Sequence, residues 1–172
     1  MKILIIATPR CGGYTLHKEL AKTYNLTAIH EPKWKGLDKE FRDDSCLKTI
    51  VYDNTLEELT SLAAKFDKVI LLDRKDKVAQ TQAIVALNAN KDDIKLKWEW
   101  KEGVHSSVDI IKWATTLTNS NHTLQTLSKE LNVPLEYYED IFYGNGLADK
   151  ELEFKPDTSQ KLRQINRKKS II

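Results

Sequence analysis

Residues 1–20 read MKILIIATPRCGGYTLHKEL, and they set a strand, a glycine turn and a helix in immediate succession. Lys2 to Ala7 is a short, continuous apolar run of the kind a parallel strand needs when both of its faces are covered. Tyr14 to Tyr24 carries a helical pattern. Between them, Pro9-Arg10-Cys11-Gly12-Gly13 holds two adjacent glycines, which allow positive φ and a close backbone approach to a ligand. A helix that starts near Tyr14 turns its unpaired N–H groups and the positive end of its dipole into that turn. The segment therefore predicts an anion site for phosphate or sulfate at the end of the first strand.

Two common anion loops are excluded by residue type. A Walker A loop needs a glycine separated by four residues from the Gly-Lys pair, yet no glycine precedes Gly12 and no lysine follows Gly13 directly. A phosphatase loop of Cys, five residues and Arg would begin at Cys11 and require arginine at position 17, which is His17.

Signals for strands and helices alternate along the rest of the chain, which predicts a three-layer α/β/α fold with a mostly parallel sheet. Strands are expected at 2–7, 26–30, 47–52, 68–73 and 135–138, and helices at 14–24, 55–66, 76–89 and 106–131, with a further short one at 157–166. Asn54 or Thr55 with Glu57 and Glu58, and Ser106-Ser107 with Asp109, are helix-start signals. Pro134 marks the break before the last strand. The 172 residues suit one domain, 1–172, able to carry a sheet covered on both faces.

With 27 basic and 25 acidic residues, the net charge of +2 provides no broad field for nucleic acid. Cys11 and Cys46 do not make a disulfide framework, and no Cys/His cluster has zinc spacing, so no metal is expected. The chain opens on its first strand, and no segment approaches the roughly 20 apolar residues of a membrane span. A cytoplasmic, membrane-free protein is expected, and the glycosylation sequons at Asn25 and Asn121 then carry no weight. Two polar connections, 31–46 and 90–105, are long for a compact domain and contain Trp34, Trp98 and Trp100. Those rings would either stack on a ligand or close the sheet edge.

Pro9-Arg10-Cys11-Gly12 resembles the phosphosulfate-binding loop of sulfotransferases, in which a strand ends in Pro-Lys/Arg-Ser-Gly and Ser/Thr follows at a helix start. Cys11 stands in place of the serine, and Gly13-Tyr14 separate Gly12 from the hydroxyl of Thr15. Three more segments are similar to the family in its order: IHEP at 29–32, KVILLDRKDKVAQ at 68–80 and YEDI at 138–141. The resemblance covers most of the chain and is greatest to the small bacterial and phage branch.

The resemblance implies a P-loop nucleotide-hydrolase-like fold and an enzyme using 3′-phosphoadenosine 5′-phosphosulfate (PAPS) as co-substrate, with a small-molecule or carbohydrate acceptor. It implies that Arg10 stabilises the transferring group, while Cys11, Gly12, Gly13, Tyr14 and Thr15 cradle the 5′-phosphosulfate. Arg74 matches the ligand of the 3′-phosphate; Thr81 is the nearest following hydroxyl, with Gln80 or Gln82 as substitutes and the basic run Arg167-Lys168-Lys169 as a further candidate. Glu31 ranks first and His30 second as general base, with His105 outside that pair, and Glu139 and Asp140 are expected to cap a short helix. Two alternatives stay open: a P-loop kinase acting on a nucleoside or small molecule, and a non-catalytic nucleotide-binding relative.

Overall fold

The computed structural model describes residues 1–31, 43–89 and 105–144. The expected helix at 157–166, the run Arg167-Lys168-Lys169, and Trp34, Trp98 and Trp100 lie outside them. In chain order the elements are β1 (Lys2–Ala7), α1 (Gly13–Thr23), β2 (Thr27–His30), β3 (Ser45–Ile50), a 3-10 turn (Val51–Asp53), α2 (Leu56–Ala63), β4 (Lys68–Asp73), α3 (Lys77–Ala89), α4 (Ser107–Leu131), β5 (Leu135–Tyr137) and α5 (Tyr138–Gly144). The strands form one five-stranded sheet in the order β2-β3-β1-β4-β5, and every pairing is parallel.

The apolar run of β1 is fully buried because the strand lies in the middle of the sheet, and its side chains alternate between two cores. Ile3, Ile5 and Ala7 join Leu16 and Ala21 of α1 with Tyr138 and Phe142 of α5. Leu4 and Ile6 join Leu59 and Leu62 of α2 with Leu124 and Leu127 of α4. Helices thus cover both faces of the sheet, and each buried Leu or Ile contributes about 1.5–3 kcal/mol.

Local signals set most of the element boundaries. Thr55 and Glu58 form a reciprocal capping box at α2, and the Ser106 hydroxyl accepts from the Val108 amide at α4. The third strand starts two residues earlier and ends two residues earlier than its β-branched run Thr49-Ile50-Val51 predicts. Its ladder runs from Lys2↔Ser45 to Ala7↔Ile50, so it stops where β1 stops. There the Asn54 side chain donates to the Ile50 carbonyl at 2.8 Å and bends the chain into the 3-10 turn.

Helix α1 leads from β1 to β2 and β3 on one side, while α2 carries the chain back across β1 to β4 on the other. The direction of winding reverses at β1. In open α/β sheets the crevice at the carboxyl ends of the strands at such a reversal is where ligands bind.

Candidate functional site

The carboxyl end of β1 continues for one ladder bond, Thr8 N–H to the Leu72 carbonyl at 3.0 Å, and then turns sharply. Arg10 and Gly12 both have left-handed backbones, with φ of 60° and 78°. Gly12 is the N-cap of α1 and no side chain caps that helix, so the amides of its first turn are left to the turn itself. A Cβ on Gly12 would lie 2.6 Å from the Tyr138 ring and 2.7 Å from that of Phe142, which makes glycine obligatory on two counts. A Cβ on Gly13 would meet Ala7 Cβ and Lys48 Cε, each at 3.2 Å.

The Cys11 thiol donates to the Thr8 carbonyl at 2.8 Å, and burial pushes its pKa up to about 11. It is a protonated clasp inside the turn, so only its backbone faces outward chemistry. Thr15, on the first turn of α1, is fully buried and its hydroxyl has no hydrogen-bond partner. Cβ vectors on a helix tilt toward its N-terminus, which directs that hydroxyl toward the turn.

Beneath the turn on the β4 side lies a polar network whose extent was not foreseen from sequence. Asp73 is fully buried, and its carboxylate accepts from the Thr8 hydroxyl at 2.7 Å, from the Lys77 ammonium and from the Asn121 amide. Gln80 donates to the Thr8 hydroxyl at 2.8 Å and to the Pro9 carbonyl at 2.6 Å, and Thr81 donates to the Lys77 carbonyl at 2.7 Å. Two of the side chains expected near a 3′-phosphate, Gln80 and Thr81, are therefore engaged in holding the turn and the helix. Arg74 does stand beside the turn: its Nη1 donates to the Arg10 carbonyl at 3.4 Å, and its guanidinium lies 4.9 Å over the Tyr138 ring. Glu139 faces it at 3.8 Å. The main task of that carboxylate is to accept from the Lys75 and Asp76 amides, at 2.9 and 3.0 Å, which ties the first turn of α5 to the loop after β4.

On the opposite side, β2 and β3 bring together Glu31, His30 and a residue that no motif marked, Lys48. Its side chain is buried along Gly13, and its ammonium donates to the Glu31 carboxylate. Glu31 also lies 3.7 Å from His30 Nε2. The His30 ring packs edge-on to Tyr14 at 4.9 Å and stacks with His17 at 5.9 Å. His17 is fully buried and donates from Nε2 to the Cys46 carbonyl at 2.8 Å, which leaves Nδ1 bare. Burial lowers its pKa to about 4, and burial with the Lys48 charge lowers that of His30. The His17 ring is therefore neutral at pH 7. A lysine inside the apolar strand CLKTIV was the available sequence signal for Lys48, because a lone cation in a buried strand demands a partner.

Arg10, Gly12, Gly13, Tyr14 and Thr15 thus share one turn, with Lys48, Glu31 and His30 on its β3 side and Arg74 on its β4 side. His105 stands apart in sequence, at the approach to α4. Among the described residues no group of three or more His, Cys, Asp or Glu is arranged to hold a metal ion, and no helix is long and apolar enough to cross a membrane. A depression of about 470 Å³ lies away from the turn, between α2 and α4, lined by Leu56, Glu57, Thr60, Ser61, Ala64 and Glu130. The chain matches no protein-family model and no curated protein.

Proposed function

We propose that the chain is a sulfotransferase that moves the sulfuryl group of PAPS to an acceptor hydroxyl. The observation that carries this reading is the uncapped, glycine-opened start of α1 at the carboxyl end of the central strand, with Arg10 in the turn and the buried Lys48 laid against Gly13. Such a helix start is a ready anion site, and the four segments similar to sulfotransferases supply the identity of the anion.

In this reading the acceptor oxygen attacks sulfur in line. The bond between sulfur and the bridging oxygen breaks, and negative charge grows on the departing adenosine 3′,5′-bisphosphate. The first amides of α1 and the Arg10 guanidinium offset that charge. Glu31, or His30 after it, takes the acceptor proton. Arg74 meets the 3′-phosphate from the other side of the turn, exchanging its long contact with Glu139 for a doubly charged partner. The product remains charged at both of its phosphates.

The test is calorimetric titration with adenosine 3′,5′-bisphosphate, AMP and Mg-ATP. A charge-assisted pair contributes roughly 1.5–3 kcal/mol, so the bisphosphate is expected to bind about tenfold or more tightly than AMP, and Arg74→Ala to erase the difference. Equal affinity for the bisphosphate and AMP in the unmutated protein would defeat the assignment. Tightest binding of Mg-ATP would instead favour the kinase alternative, for which Lys48 supplies a cation at the turn that the absent Gly-Lys pair would otherwise provide.

A further inference from the structure

Lys48 is 5 % exposed, on a strand that is buried along its whole length. An ammonium so placed cannot stay unpaired, because the cost of stripping its water must be offset by a partner of opposite charge. Its partner here is Glu31, the residue just after β2, whose side chain is 38 % exposed. Glu31 reaches it with a left-handed backbone, φ of 42°, fixed by its own amide donating to the Lys48 carbonyl at 2.8 Å. Glutamate seldom adopts that conformation, and the bend after β2 leaves its carboxylate on this lysine.

The ammonium's surroundings include the start of α1 as well as Glu31. Lys48 Cε would lie 3.2 Å from a Cβ on Gly13, so the end of the side chain is laid against the first residue of the uncapped helix α1. Its field reaches Cys11 in the turn, His17 on α1, His30 on β2 and Asp53 after β3. Thr15 adds a fully buried hydroxyl without a partner on the same first turn of α1.

We propose that Lys48 is the second cation of the anion site, held in reserve by Glu31, and that a phosphate or sulfate oxyanion entering the turn takes its ammonium from that carboxylate. The two partners differ in what separation does to them. Glu31 is open enough to turn to water, whereas Lys48 must remain paired inside the protein; the incoming oxyanion provides that pairing and the Thr15 hydroxyl gains an acceptor. The exchange deepens the sulfotransferase reading, on which it rests for the identity of the ligand, because it unmasks Glu31 as a proton acceptor only when the donor nucleotide is in place.

Competition between an internal carboxylate and an external oxyanion has a signature that a structural ion pair lacks. Removing the carboxylate's charge should tighten anion binding. Calorimetric titration with inorganic sulfate, adenosine 3′,5′-bisphosphate and AMP, on the unmutated protein and on Glu31→Gln and Lys48→Met, tests it. Glu31→Gln is expected to bind all three anions about threefold to tenfold more tightly, and Lys48→Met to bind them about tenfold or more weakly. Glu31 stands at an exposed strand end, so Glu31→Gln remains informative should Lys48→Met fail to fold. Unchanged or weaker binding by Glu31→Gln would overturn the exchange, as would an unmutated protein that binds none of the anions. If Glu31→Gln tightens binding while the bisphosphate and AMP stay equal, the exchange stands and the sulfotransferase assignment fails.

Discussion

At the scale of the residue, the ring of His17 is the most exacting group near the turn. It is buried, one nitrogen is spent on the Cys46 carbonyl, and the other has no partner, so a proton can be added only against desolvation. Its folded pKa of about 4 lies below the ordinary 6.5, and the unfolded chain therefore binds the proton more tightly. The sign follows: the stabilisation from neutral His17 is full above the unfolded value and is lost as pH falls from 6.5 toward 4. Urea unfolding should show stability falling by about 1 kcal/mol per pH unit near pH 5 on account of this one group. His17→Gln should flatten that slope, and a variant with the wild-type pH dependence would show that the ring is not the source. In the sequence, His17 does no more than exclude a phosphatase loop. Nothing local to it reveals burial by a strand 29 residues away.

At the scale of the element, the turn after β1 and the helix α5 are one unit. Gly12 has a left-handed backbone, and its missing side chain is the space that Tyr138 and Phe142 fill. Gly12→Ala should cost roughly 2–4 kcal/mol, from the left-handed strain and the overpacking together. Gly13→Ala faces contacts of 3.2 Å at an ordinary helical φ and should cost clearly less. Thermal melts of the two variants check this, and equal losses would contradict the seam described here. The glycine turn and the strand and helix on either side of it were legible because each rests on neighbours in sequence. The bond from Glu139 to the Lys75 and Asp76 amides was not, since it joins residues more than sixty positions apart. YEDI was matched as a motif and expected to cap its own helix, whereas Glu139 secures the loop that carries Arg74.

At the scale of the whole molecule, alternation of strands and helices was enough to predict a parallel three-layer fold, but not which strands are neighbours. Strand order fixes the site: only because β3 lies between β2 and β1 can Lys48 span from Glu31 to Gly13. The same order leaves the β4 side of the turn to Arg74 and the buried Asp73. In the function proposed above, the amides of the first turn of α1 hold the charged group of a nucleotide at the carboxyl end of β1. Backbone amide NMR during titration with adenosine 3′,5′-bisphosphate tests it most directly. The largest shifts are expected on Gly12, Gly13, Tyr14 and Thr15, with the loop at Arg74 responding alongside; shifts centred on the depression between α2 and α4, or none at the glycine turn, would rule out that placement of the nucleotide.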